Sequence, residues 1–519
     1  MNVTETVGVA QAAPSAPGRT AMGCRLRRFG IDTGNERVVF LRVDSPVCQS
    51  EGFTPRARIQ IHIDGRSLVA MLDVVHGDLL AQDEAGLSEA AWCILAPEPN
   101  DRATFTHAPS VESLALIRRK IHGHELDESQ FDTIVTDAAD HRYSSAELAA
   151  FVAACGGNRL SEREVISLTR AMVNGGSRVR WDRDVVVDKH CIGGLPGNRT
   201  TPIVVSILAA LGMLMPKTSS RAITSPAGTA DTMEMLAPVE LDVLAMRRVV
   251  ERTGACIVWG RSANFSPADD VLCRIERMLD VESEGQLVAS VLSKKVAAGA
   301  SHVIIDIPVG PTAKVRSASE AGALAALLRE VASAFHLHVR TLFTEGLSPV
   351  GRGVGPALEA HDVLAVLRNE AQQPRDLRDR ALQLASQLYA FAHGALDGQD
   401  ALGKVTDALD SGAAWRKFVA ICEAQGGMRV PGKAAYRQPV EAISSGVVTA
   451  MDNRRLAKVA KLAGAPSAPL AGIEVEVRPG RNVARHEPLF TVHAQTKGQL
   501  EYALAYVSAH PDMLEVKQP

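Results

Sequence analysis

From about Val185 onward the chain alternates short apolar runs with glycine-rich turns and helix-length amphipathic stretches, and this alternation leaves few folds open. CIVWG at 256–260, HVIIDIPVG at 302–310 and HVRTLFTEG at 338–346 read as strands buried in a sheet that helices cover. The pattern predicts an α/β domain with a central sheet over 177–266 and 300–430. At roughly 150 residues per domain, 519 residues leave room for three or four domains, and the pattern changes on either side. Between about 22 and 105, segments such as RVVFLRVDS, ARIQIHIDG and RSLVAMLDVV alternate apolar and polar positions between turn residues, which predicts a β-rich N-terminal domain over 21–105 after a disordered tail over 1–20. A small all-α domain over 106–176 follows, its helices announced by capping-type starts at Asp127-Glu-Ser-Gln and Ser144-Ser-Ala-Glu. After about 430, SSGVVTAMD, GIEVEVRPG and PLFTVHA precede an apolar-periodic segment from Leu500 to Val507, so 431–519 reads as an α+β C-terminal domain. The fold class expected is therefore multidomain α/β.

Composition narrows the function. Fifty-six Lys and Arg against 59 Asp and Glu give a net charge of −3, too balanced for a chain that screens phosphate backbones, so no nucleic-acid partner is expected. Hydrophobic residues at 46% and charged residues at 22% suit an ordinary globular protein. The eight cysteines stand singly, without a CxxC pair, which favours reduced thiols, a cytoplasmic setting and no metal site. The first twenty residues lack the basic start and apolar run of a secretory signal. The longest apolar stretch, Ile203 to Met215 between Pro202 and Pro216, is shorter than the roughly 20 residues that cross a bilayer, and it reads as a buried helix with no membrane role.

Two neighbouring segments carry chemistry. Asp188-Lys-His-Cys-Ile-Gly-Gly-Leu-Pro-Gly-Asn-Arg-Thr-Thr-Pro leaves a strand and enters a helix through a turn with three glycines. Such a turn lets backbone N–H groups and a helix N-terminus approach an anion, with Lys189, Thr200 and Thr201 adding donors. The plain alternative is a strand-to-helix turn that merely needs glycine. It is not a Walker loop, because the GxxxxGK[ST] spacing is absent. One helix later, the segment from Pro216 to Glu234 holds two cations and seven hydroxyl side chains from Lys217 to Thr232, a density suited to phosphate and sugar oxygens. Turns at successive strand ends face one cleft in open α/β sheets.

These residues also carry a likeness. Ser219 to Glu234, SSRAITSPAGTADTME, resembles the signature of the thymidine and pyrimidine-nucleoside phosphorylases, and more closely that of the archaeal AMP phosphorylases. Asp188 to Asn198, DKHCIGGLPGN, resembles the same family's phosphate loop. The resemblance runs from about Ser110 to the C-terminus, and the β-rich extension is similar to that of the long AMP-phosphorylase-like branch. It implies phosphate against Lys189, Cys191, Thr200, Lys217, Ser219 and Thr229, with Cys191 standing where the family usually has serine. It places His190 beside sugar and base, and lines the nucleoside site with Gly194, Ser220, Arg221, Ala222, Ile223, Thr224 and Ser225. Ser290 and Lys294, four apart and so on one helix face, correspond to the base-binding pair of the pyrimidine enzymes. An arginine expected upstream is either Arg274 or Arg277. The AMP enzymes resemble the chain at Ser290 and Lys314 and have an aspartate proton donor where Glu282 stands.

Read alone, Ser290 and Lys294 fit an ordinary amphipathic helix, and His190 fits a packed loop. His122-Gly-His124-Glu125 has its histidines two apart, the wrong spacing for a helical metal pair, and Gly351-Arg-Gly-Val-Gly-Pro fails the GxGxxG spacing. RPGRNVARHEPLFTV is hammerhead-like, but Met451-Asp-Asn offers no lysine for a prosthetic group.

The expected activity is phosphorolysis with inorganic phosphate as co-substrate and no cofactor: thymidine and phosphate giving thymine and 2-deoxyribose 1-phosphate. His190, Glu282, Lys294 and Arg274 or Arg277 would act on the leaving base. The alternative is AMP phosphorolysis to adenine and ribose 1,5-bisphosphate, with Lys314 or Arg221 meeting the 5′-phosphate. A non-catalytic nucleotide sensor is a further reading, motivated by Cys191 and Glu282, and a scaffolding role ranks last. The resemblance also implies a homodimer, a return of the helical domain over 267–299, and hinges near Asn174–Ser177 and Ser262–Pro267.

Overall fold

The computed structural model describes residues 23–34, 36–98, 101–222, 225–279, 281, 283–394 and 397–518. The chain divides into two compact units, Met1–Glu112 and Ser113–Pro519.

In the first unit the period-2 pattern closes into a barrel. Its strands are β1 (Cys24–Arg28), β2 (Val38–Arg42), β3 (Arg58–Ile63), β4 (Arg66–Val75), β5 (Glu84–Leu87) and β6 (Arg102–His107), in the order β1-β5-β2-β4-β3-β6. Ile59, Ile61 and Ile63 point inward while Gln60 and His62 do not, the alternation expected of a strand with one face in a core. Helices α1 (Pro46–Glu51) and α2 (Glu89–Leu95) are capped by the buried hydroxyls of Ser45 and Ser88.

The second unit opens with α3 (Leu114–Ile121), α4 (Glu128–Ala139), α5 (Ser145–Ala154) and α6 (Glu162–Asn174). Asp127 with Gln130 and Ser144 with Glu147 form the capping boxes read from the sequence, and Ser161 with Glu164 forms a third. The sheet region then alternates as β7 (Val187–Cys191), α7 (Thr201–Ala210), β8 (Met215–Ser219), α8 (Thr229–Glu234), α9 (Val243–Thr253) and β9 (Ala255–Trp259). Helices α10 (Pro267–Leu279) and α11 (Glu284–Ala297) go back to pack on α4, α5 and α6. Then come β10 (His302–Val309), α12 (Ala318–Ser333), β11 (His338–Glu345), β12 (Gly353–Val354), α13 (Pro356–Leu367), α14 (Arg375–His393), α15 (Gly398–Asp410) and α16 (Ala413–Ala424). Strands β7, β10 and β11 pair in parallel, as do β8 and β9. A parallel bridge from Val186 to Leu214 joins the two sets, so the carboxyl ends of β7, β8 and β10 emerge side by side. The C-terminal part holds β13 (Tyr436–Glu441), β14 (Gly446–Met451), α17 (Asn453–Leu462), β15 (Gly472–Val475), β16 (Asn482–Val483), β17 (Pro488–Ala494), α18 (Lys497–Ala509) and β18 (Leu514–Lys517) around its own core.

Two expectations need correcting. The apolar stretch Ile203–Met215 is not one helix: α7 ends at Ala210, the chain reverses at Gly212 with φ +85°, and Met215 starts β8. HVRTLFTEG is a strand but not a buried one, because β11 lies at the sheet edge and leaves Phe343 49% exposed. The two expected hinge segments run against each other: Ser177 N donates to Asn264 O at 2.8 Å, and a Cβ on Gly176 would lie 2.2 Å from Phe265 O.

Candidate active site

The turn after β7 is shaped by Gly193, Gly194 and Gly197, with φ of +90°, +78° and +77°. At Gly194 and Gly197 space is also lacking, since a Cβ would sit 2.4 Å from Lys314 N and 2.3 Å from Val350 O respectively. The turn delivers the chain into α7, whose first-turn N–H groups face back toward it. Lys189, 1% exposed, donates from Nζ to Thr200 Oγ1 at 2.8 Å and to Thr201 Oγ1 at 3.4 Å. Burial lowers its pKa below the ordinary lysine value. Asn198 Nδ2 donates to Asp306 Oδ2 at 3.0 Å and to Cys191 Sγ at 3.3 Å, and Thr344 donates to Asp306 Oδ1 at 2.6 Å. Burial and then Asp306 push the Cys191 thiol up to about 12, so it stays protonated.

The turn after β8 folds around one carboxylate. Asp231 Oδ2 accepts from Ala222 N at 2.7 Å and Gly228 N at 2.8 Å. Gly228 is required here because a Cβ would lie 2.5 Å from the backbone at Ser220 to Ala222. Arg199 ties this turn to the first. Its Nη1 donates to Thr229 Oγ1 at 2.7 Å, its Nη2 to Ala227 O at 2.9 Å, and its Nε to Glu359 Oε2 at 2.6 Å. Thr200, the partner of Lys189, is the next residue along the chain, so the two turns form one surface. At the end of β8 the hydroxyls of Thr218 and Ser219 are buried without a protein partner.

Beneath this surface, Asp188 gathers cations from two further elements, with Lys295 of α11 at 2.7 Å and Lys217 of β8 at 3.4 Å. All three side chains are nearly inaccessible. Burial, followed by Lys295, Lys217, Lys294 and Lys189, holds His190 well below its ordinary pKa. The imidazole is therefore neutral.

The helical side supplies a second group of donors. Lys294 Nζ donates to Ser290 Oγ at 2.9 Å and pairs with Asp269 Oδ2 at 2.5 Å. Burial is the largest influence and opposes its charge, but Asp269, Cys273 and Asp270 together more than offset it, and the ammonium is held above its ordinary range. Asp269, Cys273 and Glu276 follow each other along one face of α10. Burial and then Asp269 push the Glu276 carboxyl up to about 7, against the pull of Lys314 and Lys294. Because this folded-state value exceeds the ordinary 4.5, the neutral form's contribution to stability is whole below about 4.5 and is lost as pH rises through about 7. Glu276→Gln is therefore expected to gain about 3 kcal/mol over the unaltered chain near pH 8 and nothing near pH 4. Urea unfolding at the two pH values checks this.

The comparisons with known proteins follow this division. Residues 114–176 match the helical bundle domain of a glycosyl transferase family, 183–415 its a/b domain, and 447–511 the pyrimidine nucleoside phosphorylase C-terminal domain. A protein named "Putative thymidine phosphorylase" from Polaromonas sp. is 56% identical over 492 residues, covering 95% of this chain and 96% of that one. "Putative thymidine phosphorylase 2" from Acidovorax sp. is 56% identical over 504 residues, 96% of this chain and 98% of its own. The chain belongs to the thymidine and pyrimidine-nucleoside phosphorylase family. Its members here are pentosyltransferases, and so is this chain. Among solved structures, anthranilate phosphoribosyltransferase from Thermus thermophilus has a TM-score of 0.49 at 19% identity, over 60% of this chain and 98% of that one. No described helix is long and apolar enough to cross a membrane.

Set against the site expected of a nucleoside phosphorylase, the structure joins Lys189 to Thr200, Cys191 to the same turn, Ser290 to Lys294, and Thr229 to the first turn through Arg199. Lys217 turns inward to Asp188, and Ser219 keeps an unpartnered hydroxyl beside it. Ser220 and Ser225 serve the turn's own fold: Ser220 O accepts from Ala230 N, and Ser225 Oγ donates to Ala227 O at 2.9 Å. Arg277 of α10 donates to Ala222 O at 3.0 Å and so reaches the second turn, while Arg274 is half-buried on the same helix. Arg221 is corrected as a phosphate contact. Its guanidinium is engaged by Glu234 at 2.5 Å, Glu240 at 3.0 Å and Asp231 at 3.3 Å, and lies 4.6 Å from the Trp259 ring centre. Ile223, Thr224 and Glu282 lie outside the described residues. Sequence reading missed Arg199, Glu359, Asp269, Glu276 and Lys295. Of these, Arg199 stood within the first glycine-rich segment and Lys295 next to Lys294, while the other three lay outside the segments singled out.

Proposed function

We propose that this phosphorylase acts on thymidine. An oxygen of hydrogen phosphate held over Lys189, Thr200 and Ser219 attacks C1′ as the C1′–N1 bond breaks and its electron pair leaves with the base. The proton given up by the hydrogen phosphate ends on the base nitrogen. The products are thymine and 2-deoxyribose 1-phosphate, and no prosthetic group is needed. The carrying observation is the Ser290–Lys294–Asp269 array. An ammonium has three N–H donors, and those to Ser290 and Asp269 fix it while a third is left for a base carbonyl, beside the Ser290 hydroxyl. Each donor that meets developing charge contributes roughly 3 kcal/mol in a water-poor site. His190, as a neutral imidazole, adds an N–H without repelling the neighbouring lysines. The names of the 56% identical relatives support the same substrate.

AMP is the second reading, favoured by the packing of Lys314 against Gly194 of the first turn. Against it, Arg221 is already neutralised by three carboxylates. Purified protein incubated with phosphate and either thymidine or AMP separates them: thymine release is expected, and adenine release without thymine overturns the proposal. Ligand-dependent stabilisation with no base released would favour the sensor. We further propose a cytoplasmic homodimer, in line with eight free cysteines and with the family.

A further inference from the structure

Where the sheet domain meets the C-terminal part lies a hollow of about 510 Å³ walled by Arg352, Arg375, Arg380 and Arg478. None of the residues of the two catalytic turns lines it. Three carboxylates share the wall, Glu345, Asp376 and Glu476. Asp376 is occupied, accepting from Gly351 N at 3.0 Å, Leu377 N at 2.9 Å and Arg478 Nη2 at 3.2 Å. Glu476 accepts from Thr491 Oγ1 at 2.9 Å. Two guanidinium donors are not answered. Arg380 Nη2 donates to Glu345 O at 2.6 Å, yet its Nη1 is buried with no partner. Arg352 Nε is buried without a hydrogen bond, and its carboxylate neighbour Asp362 stands at 3.6 Å. Arg375, exposed at the start of α14, makes no ion pair among the described residues. Pro374, which begins this 19-residue helix, supplies no side-chain cap, and the first-turn N–H of Leu377 is taken by Asp376.

A buried donor left without an acceptor is destabilising, and more so when it is charged. Two of them beside a third arginine call for an acceptor with several oxygens in fixed geometry. A tetrahedral phosphate meets a guanidinium fork bidentately. We propose that this hollow is a second anion site, separate from the catalytic turns, which takes inorganic phosphate or a phosphomonoester.

Equilibrium dialysis with radiolabelled inorganic phosphate tests it on the full chain. Two phosphates per chain are expected for the unaltered protein, one for Arg375→Glu, one for Lys189→Ala and none for the double variant. Arg375 is a surface side chain, so its reversal leaves the fold intact, and Arg380→Gln is expected to weaken the same site at least tenfold. Phosphate stoichiometry unchanged by both arginine variants would overturn the proposal. Were the catalytic cradle the part that fails, the unaltered protein would bind one phosphate, kept in Lys189→Ala and lost in Arg375→Glu. Ribose 5-phosphate competing for the Arg375-dependent site names a phosphomonoester as ligand, and failure to compete names inorganic phosphate; either supports the site.

Discussion

Lys189→Ala is expected to lower turnover 10²-fold or more, the loss of roughly 3 kcal/mol of transition-state stabilisation. The side chain is 1% exposed and held by the hydroxyls of Thr200 and Thr201, so its ammonium is aimed before any ligand arrives. Burial already weakens its hold on the proton. An incoming phosphate would strengthen that hold, and the attraction grows stronger where water is excluded. Thr229→Ala is expected to cost a similar factor, because Thr229 is the point at which Arg199 joins the second turn to the first. Initial rates with phosphate varied at saturating nucleoside give the check. Unaltered kcat/KM for phosphate in both variants would remove the cradle from the mechanism.

Arg199→Ala is expected to cost about 3–5 kcal/mol of stability, since it leaves Glu359 as an uncompensated buried charge. Glu359 is 1% exposed, and Arg199 is its ion-pair partner at 2.6 Å. Burial already raises the Glu359 pKa, with Arg199 first among the influences that lower it. Without the arginine the rise is larger, and a raised carboxyl favours the folded state only below the ordinary carboxylate range, losing that contribution as pH rises. The deficit of the variant should therefore shrink on acidification. Urea unfolding checks both points, and Arg199→Ala with Glu359→Gln should recover part of the loss. A deficit below about 1 kcal/mol for the single variant would show that the pair is not a buried one in solution.

What could be read from the sequence was what depends on short spacings. The Asp127 and Ser144 capping boxes, the alternating isoleucines of β3, the turn glycines and the Ser290–Lys294 pair all follow from contacts within a few residues. Arg199 and Glu359 are 160 positions apart, and no local pattern links them. Asp269 was unremarkable until α10 packed beside α11. Even local reading failed where the environment decides. The exposure of β11 depends on its being last in the sheet, and the apolar stretch at Ile203–Met215 could not say where a helix gives way to a strand. Arg221 looked like an anion ligand because its three carboxylate partners lie 10 to 19 residues along the chain.

The contact between Ser177 and Asn264 has a mechanical meaning. The three connections that carry the helical bundle, after α6, before α10 and after α11, leave the sheet domain at one spot and are laced together there by Ser177 N to Asn264 O and Val179 N to Ala297 O, both at 2.8 Å, with Gly176 admitting the neighbouring backbone at a distance no side chain would allow. A door hung from a single knuckle can swing, but it cannot slide along its frame. Ser290 and Lys294 would then sweep an arc about that knuckle, and their reach to a base would be set by one angle rather than by several independent displacements.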